Sequence, residues 1–152
     1  MPHIHKLIDF VVCIYIVYKN KILLVHHRKL NEWLPVGGHI ELDEDPEEAL
    51  FREVKEETGL EIEVLGEKPQ IKAKETKFLY PPIFLDIHDI SETHKHIGLI
   101  YFARAKSDNV TLAKKEHRET YWFTKEELDD PKFKLLSGNK FYAKEALKKI
   151  SW

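Results

Sequence analysis

An acidic stretch over residues 38–60 constrains this chain more than any other feature of its sequence. Residues three and four apart share one face of a helix, so Glu53, Glu56 and Glu57 fall within roughly a quadrant of its circumference. Like charges at this spacing cost roughly a few tenths of a kcal/mol each in an isolated helix. We therefore expect a cation among the three carboxylates. Hard divalent ions such as Mg²⁺ or Mn²⁺ prefer oxygen ligands of this kind.

The same stretch contains the signals that begin and end a helix. Asp45 can act as the N-cap, Pro46 suits the first helical position, and Glu48 completes a capping box with Asp45. Gly59 can adopt the left-handed conformation that often follows the last helical residue. The sequence therefore predicts a helix over residues 46–58.

The spacing of residues in this stretch also matches a known signature. Gly38 is followed after five residues by Glu44, and after seven more by Arg-Glu-Val-Lys-Glu-Glu-Thr-Gly-Leu, which ends at Leu60. In this pattern the chain resembles the Nudix hydrolases, the MutT-type family, at every fixed position. The resemblance implies cleavage of a nucleoside diphosphate linked to another group X, with water attacking phosphorus. It also implies Mg²⁺ or Mn²⁺ as the cofactor.

The resemblance further implies roles for individual residues. It implies four metal ligands: Gly38 through its carbonyl, Glu53, Glu56 and Glu57. Arg52 would orient the carboxylates, including that of Glu44, through hydrogen bonds from its planar guanidinium. Glu53 is the first candidate for the general base, with a loop carboxylate as the second. We expect Arg52, Glu53 and Glu57 to be required for catalysis.

A further metal ligand is expected outside the acidic stretch. Glu116 lies in a segment, residues 116–123, that resembles one in several Nudix enzymes, where a glutamate just before the last strand completes the metal site. Glu119 is the second candidate in this segment. The alternative for both residues is an ordinary charge in a loop.

Substrate contacts are expected from residues that flank the acidic stretch. Arg28 and His39 lie near it in the sequence and could contact phosphate groups, with solvated surface as the alternative. Trp33 and Tyr80 lie in or beside irregular segments, where aromatic rings could form a slot for a nucleobase. Packing within the core or a loop is the alternative for these two rings.

Composition indicates one soluble globular domain over residues 1–152. Hydrophobic residues make up 43% and charged residues 33%, which excludes a disordered chain and gives no indication of a membrane protein. With no signal-peptide pattern at the N-terminus, we expect a cytoplasmic protein. A net charge of −2 gives no electrostatic support for binding nucleic acid. The expected partner is a nucleotide-type small molecule, and the long hydrophobic strands would also suit a homodimer.

The rest of the pattern predicts a mixed sheet. Strands are predicted over residues 9–18, 21–27, 60–65, 83–87, 97–105 and 120–123. Besides residues 46–58, helices are predicted over residues 124–128 and 139–150, and residues 67–82 form a long irregular excursion. This order suggests a mixed sheet with helices on both faces, and the α/β/α sandwich of the Nudix fold agrees with it.

The sequence leaves the substrate open. Nucleoside triphosphates are the first candidates for the substrate, followed by ADP-ribose or nucleotide sugars. No residues that mark a particular Nudix subfamily occur at a convincing spacing. A Nudix-fold sensor that binds a nucleotide without turnover is the alternative, although the complete signature argues against it. An RNA-cap or RNA 5′-end hydrolase is a third candidate, which the small size and mild negative charge disfavour.

Overall fold

A computed structural model of the protein describes residues 4–111 and 117–152, and these residues contain an eight-stranded sheet and two α-helices. The strands are β1 (Ile8–Tyr18), β2 (Lys21–His27), β3 (Glu32–Leu34), β4 (Val36–His39), β5 (Ile62–Val64), β6 (Phe84–Ser91), β7 (His94–Ala105) and β8 (His117–Phe123). The helices are α1 (Pro46–Thr58) and α2 (Ser137–Lys149), and two short 3₁₀ turns cover Glu127–Asp129 and Pro131–Phe133.

Strands β1 and β7 form the centre of the sheet and run parallel to each other. The main path of the sheet is β3-β2-β1-β7-β5, while β4 pairs with β1, β6 with β7 and β8 with β2. All of these other pairings are antiparallel. The sheet is therefore mixed, as the order of elements predicted.

The two helices cover opposite faces of the sheet. Alternate residues of β1 point to opposite faces: Val12 and Ile14 pack in the cluster that contains residues of α1. Tyr15 and Val17 pack in the cluster that contains residues of α2. The predicted α/β/α sandwich is confirmed, and burial on both faces explains why β1 is apolar along most of its length.

Helix α1 has the ends that the sequence predicted. The Asp45 side chain accepts a hydrogen bond from the Glu48 N–H at 2.8 Å, and the Glu48 side chain accepts one from the Asp45 N–H at 3.0 Å. Gly59 follows the helix with φ of 69°, and its N–H donates to the Lys55 carbonyl at 3.0 Å. The capping box and the left-handed glycine therefore hold the acidic face at a defined place on the sheet.

Several details differ from the sequence expectation, among them the end of β6, at Ser91 rather than residue 87, and the start of β8, at His117 rather than residue 120. The segment around Pro35 forms two short strands, β3 and β4, because it pairs with β2 and β1. The helix expected over residues 124–128 is a 3₁₀ turn, which Pro131 follows too closely for a longer helix. Strand β7 begins three residues earlier than expected, at His94. In the described part of the chain, neither α-helix is long and apolar enough to cross a membrane.

Candidate functional site

The acidic face of α1 is directed toward the sheet, and two of its three clustered carboxylates are buried there. Glu53 and Glu57 are each 3% exposed, whereas the Glu56 side chain is 60% exposed. Burying a carboxylate is costly unless hydrogen-bond donors or cations compensate its charge. The contacts of Glu53 and Glu57 therefore decide what this face can do.

Arg52 connects the clustered carboxylates. Its Nε and Nη2 atoms donate to the two carboxylate oxygens of Glu44, at 3.0 and 2.6 Å, which is a bidentate contact. Its Nη1 atom donates to Glu53 at 2.9 Å and more weakly to Glu56 at 3.3 Å. Nη2 also donates to the His39 carbonyl at 3.1 Å. The Arg52 guanidinium thus contacts the carboxylates that it is expected to orient.

The same hydrogen bonds change the proton affinities of this pair. The hydrogen bond from Arg52 lowers the pKa of Glu44 below its ordinary value of 4.5. The hydrogen bond to Glu44 is in turn the main cause that raises the pKa of Arg52. Both groups stay ionised at neutral pH, so the pair provides a fixed charge distribution beside Glu53.

Two glycines let β4 approach the acidic face closely. The Gly37 N–H donates to Glu57 Oε2 at 3.0 Å. A Cβ atom at Gly38 would lie 2.3 Å from Glu53 Oε1, and one at Gly37 would lie 2.0 Å from the Val12 carbonyl oxygen. Neither position has room for a side chain, so the glycine pair is required by packing on both of its sides.

The register between β1 and β4 determines which glycine carbonyl faces α1. The Ile40 N–H donates to the Phe10 carbonyl, and hydrogen-bonded pairs recur at every second residue of an antiparallel ladder. Gly38 is therefore in a hydrogen-bonded pair, and its carbonyl points to β1. The Gly37 carbonyl lies on the same side as its own N–H, which binds Glu57. The Gly37 carbonyl is therefore directed to the side of Glu57, and the expectation that the Gly38 carbonyl binds a metal stays a prediction.

The oxygen atoms of this face suit a hard divalent cation. Three carboxylates and one backbone carbonyl make up a donor set of the kind that Mg²⁺ and Mn²⁺ prefer. Within residues 4–111 and 117–152, these carboxylates are not among the groups whose ligand atoms all lie within 4.8 Å of one another.

The two residues expected to contact phosphates are placed differently from each other. Arg28 is exposed in the turn between β2 and β3. His39 is buried, and its Nε2 atom lies 3.3 Å from Asp9 Oδ2. The Cβ position of Gly38 faces α1, so the next residue of the strand points its side chain to the opposite face of the sheet. The structure does not bring the His39 imidazole together with the α1 carboxylates.

The two aromatic residues expected to bind a base are packed against protein groups. Trp33 makes an edge contact with Phe123, with 5.2 Å between the ring centroids, in the cluster on the α2 side. The ammonium group of Lys68 lies over the Tyr80 ring, 4.3 Å from its centroid. Tyr80 is nevertheless near the start of α1, because its N–H donates to Glu47 at 3.4 Å. Glu116, the expected metal ligand, lies outside the described residues.

A cavity that the sequence did not indicate opens beside the start of α1. It has a volume of about 320 Å³, and its walls include Phe10, Ile40, Leu42 and Leu99. Phe10 is 47% exposed and Leu42 83% exposed, so part of this apolar wall faces solvent. The Glu41 N–H in the wall donates to the Glu44 carboxylate at 2.9 Å. One hydrogen bond therefore links the wall of the cavity to Glu44, which Arg52 binds.

Comparisons with known proteins agree with this architecture. A model of the NUDIX domain matches residues 8–144. The crystal structure of a NUDIX-family hydrolase from Clostridium perfringens is 35% identical, with a TM-score of 0.83 over 94% of this chain and 98% of that chain. The crystal structure of a MutT NUDIX hydrolase from Burkholderia pseudomallei shares the fold at 21% identity, with a TM-score of 0.67 over 95% and 98% of the two chains.

A shorter match concerns a curated protein. The RNA pyrophosphohydrolase of Marinomonas sp. (strain MWYL1) is 54% identical over 39 residues, which are 24% of this chain and 24% of that protein. The chain thus spans about a quarter of the length of this relative. On the domain match and the Clostridium structure, the chain belongs to the NUDIX domain family, and it is a hydrolase of that family.

Proposed function

We propose that this chain is a pyrophosphohydrolase that requires Mg²⁺ or Mn²⁺ and cleaves a nucleoside diphosphate linked to a group X. Nucleoside triphosphates are the first candidates, with ADP-ribose and nucleotide sugars next. The proposal rests on the contacts of Arg52, whose guanidinium binds Glu44, Glu53 and Glu56 together. The Glu44 and Glu53 side chains are almost fully buried, and burying charged groups costs stability, so a purely structural helix would gain nothing from this arrangement.

The proposed mechanism assigns a separate task to each residue of the acidic face. A divalent ion bound there would neutralise phosphate charge and acidify an attacking water. Glu53, Glu56, Glu57 and the Gly37 carbonyl would hold it. Glu53 is also the first candidate for the general base, because Arg52 fixes its carboxylate in one orientation. The Gly37 N–H fixes Glu57 in the same way.

The base of the nucleotide is proposed to enter the cavity beside α1. Phe10, Ile40 and Leu99 give it apolar walls, and the Glu41 main chain connects it to the Arg52 network. Pockets for planar ligands are mostly apolar with a few placed polar groups, which describes this cavity. The sequence suggested Trp33 for this role, but its ring packs in the α2 cluster, which supports proposing the cavity instead.

The proposal is tested by replacing Glu57 with glutamine. We expect Glu57→Gln to lower kcat at least roughly 100-fold with the best substrate of a nucleotide panel, as removal of one electrostatic group from a catalytic site does. Products are identified by mass with Mg²⁺ and with Mn²⁺, and reaction in ¹⁸O-water shows which phosphorus is attacked. Tight nucleotide binding by the native chain without turnover under either metal would instead favour the sensor function.

The matched control is Glu61→Gln, which removes a carboxylate just beyond α1. The Glu61 side chain is 80% exposed and only 3.6 Å from Lys106, so its loss should leave both turnover and stability nearly unchanged. Unchanged turnover in Glu57→Gln, or equal losses in the two variants, would contradict the proposed site.

RNA 5′-ends are the second candidate substrate, and the Marinomonas relative supports their inclusion. The panel therefore includes an oligonucleotide with a 5′-triphosphate beside the free nucleoside triphosphates. An RNA enzyme should prefer the oligonucleotide, and its kcat/KM should fall steeply as salt rises, because binding RNA releases counterions. Equal kcat/KM values for the oligonucleotide and the free nucleotide would exclude this second candidate.

A further inference from the structure

A group of aspartate and histidine side chains lies on the face of the sheet opposite to the acidic helix. Asp9 and His96 are partners in the parallel pairing of β1 and β7, and His94 precedes His96 by two residues. Partners and alternate residues share a face, and this face also carries Tyr15, which packs with α2. The sheet therefore separates this group from the α1 carboxylates.

The geometry of the group is compact. The carboxylate of Asp9 and the ring nitrogens of His94 and His96 offer ligand atoms that all lie within 4.8 Å of one another. Asp9 is 1% exposed and His94 is 5% exposed, so water compensates little of the charge. A carboxylate buried this deeply is stable only beside hydrogen-bond donors or cations, and the histidines around Asp9 can supply either their own protons or a bound metal ion.

The hydrogen bonds of His94 indicate where such a cation would be. Its Nδ1 atom lies 3.1 Å from the Lys6 carbonyl oxygen, and a carbonyl only accepts, so Nδ1 carries a proton in this contact. Its Nε2 atom lies 3.1 Å from Asp9 Oδ2. In a neutral imidazole Nε2 then directs a lone pair at the carboxylate. The contact becomes favourable when a second proton or a metal ion lies between them.

The distances suit a metal ion. Zn²⁺ with tetrahedral nitrogen and oxygen ligands separates neighbouring ligand atoms by about 3.3 Å. Asp9 Oδ2 lies 3.1 Å from His94 Nε2 and 3.3 Å from His39 Nε2. The His39 ring is in turn perpendicular to the His96 ring, with 5.0 Å between their centroids. The carboxylate of Asp9 and the imidazoles of His94 and His96 thus meet at one place, and the His39 ring lies beside them.

Outer hydrogen bonds of the kind found around metal ligands are also present. Metal-bound histidines usually donate their other ring N–H to a carbonyl or carboxylate, which fixes the ring and its tautomer. His94 makes this contact with the Lys6 carbonyl. The second oxygen of Asp9 accepts a hydrogen bond from the His5 N–H at 2.6 Å. These contacts hold both ligand atoms in orientation.

We propose that Asp9, His94 and His96 bind a borderline divalent ion, Zn²⁺ being the first candidate. Imidazole nitrogen suits Zn²⁺, whereas the carboxylate oxygens of α1 suit Mg²⁺ or Mn²⁺, so the two sites select different metals. These three side chains fill three of the four tetrahedral positions of Zn²⁺, and the fourth lies open beside His39. The ion joins β1 and β7 at one end of the sheet.

The test uses the full-length chain stripped of metal with a chelator and titrated with Co²⁺ in excess Mg²⁺. Mg²⁺ occupies the carboxylate site, and tetrahedral Co²⁺ with nitrogen ligands gives intense visible absorption bands. We expect these bands to saturate at one equivalent and to disappear when Zn²⁺ is added. Absence of the bands in the native chain would overturn the proposal without reference to any variant.

Variants then show which residues bind the ion. His94→Asn and Asp9→Asn should weaken Co²⁺ binding by more than the roughly 10–100-fold that loss of an outer partner costs. His27→Asn is the matched control, because His27 lies on β2 and its ring accepts a hydrogen bond from the Leu30 N–H, and this variant should bind Co²⁺ like the native chain. Native affinity in both ligand variants would overturn the proposal.

Glu57→Gln separates this proposal from the proposed function. It should lose hydrolysis and keep the Co²⁺ bands, since the sheet lies between the two sites. Loss of the bands in Glu57→Gln would contradict the second site, because it would assign the Co²⁺ to the α1 carboxylates. Circular dichroism of each variant confirms that the comparison is between folded chains.

Discussion

Replacing Gly38 with alanine adds one methyl group where β4 touches the buried Glu53. The added Cβ atom would lie 2.3 Å from Glu53 Oε1 and 2.7 Å from Glu53 Cδ, distances that van der Waals contact does not allow. Either β4 moves away from α1 or the carboxylate rotates out of its place. Each way of relieving the clash has a cost that the structure lets us name.

Rotation of Glu53 breaks its 2.9 Å contact with Arg52. A hydrogen bond to a charged group contributes about 1.5–3 kcal/mol, and displacing a strand by overpacking costs about 1–3 kcal/mol. We therefore expect Gly38→Ala to lower the free energy of unfolding by about 1–3 kcal/mol. The Tm should fall by about 2–4 °C for each kcal/mol in a chain of this size. Turnover should fall further than stability, because Glu53 is the proposed base.

Two other glycines provide matched controls. A Cβ at Gly37 would lie 2.0 Å from the Val12 carbonyl oxygen, which is main chain and cannot rotate away, so Gly37→Ala should destabilise the fold more than Gly38→Ala. A Cβ at Gly138 in α2 meets no atom within 4 Å. Gly138→Ala should therefore stabilise the protein by about 0.5–1 kcal/mol through the helix preference of alanine.

The assay is urea unfolding followed by circular dichroism, together with kcat for the best substrate. A double-mutant cycle with Glu53→Ala isolates the collision, because removing the carboxylate removes the atoms that the new methyl group meets. The double variant should be more stable than the sum of the two single effects predicts. Strictly additive effects, or native kcat in Gly38→Ala, would refute the inferred contact between β4 and Glu53.

Two further predictions concern the Arg52 network. Arg52→Lys keeps the charge but lacks the planar fork that binds both oxygens of Glu44. We therefore expect kcat to fall at least roughly 10-fold while far-ultraviolet circular dichroism stays native. A native kcat would show that the positive charge alone suffices. Because the pKa of Glu44 is lowered in the folded state, its contribution to stability is fully present above pH 4.5 and is lost as pH falls through the lowered pKa. Glu44→Gln should therefore flatten the acid side of the stability profile, and an unchanged slope there would contradict the ion pair.

The prediction of the fold from sequence succeeded where local signals were strong. The capping box at Asp45 and the left-handed Gly59 determine the ends of α1 through bonds between residues close in the chain. The sheet order needed more than local signals, because β1 pairs in parallel with β7 across a long separation in sequence. The prediction of β4 also needed more than local signals, because its two glycines have no strand preference of their own.

The residues of the candidate site divide in the same way, into those predicted from local sequence and those decided by long-range pairing. Helical periodicity alone brings Glu53, Glu56 and Glu57 to one face, and the family signature adds Arg52. The proposed backbone ligand is Gly37 rather than the predicted Gly38, because the register with β1 decides where each carbonyl points. The occurrence of a homodimer and the role of Glu116 stay predictions.

The sequence by itself indicated the family and the helix that carries the acidic residues, because the signature and the helix both lie in one continuous segment. Only the tertiary structure decided which groups meet across strands. It turned His39 away from the acidic face toward Asp9, and it brought His94 and His96 to the same place. The physical reason is that alternation assigns each strand residue to a face, while strand register, which arises from long-range pairing, selects its neighbours there.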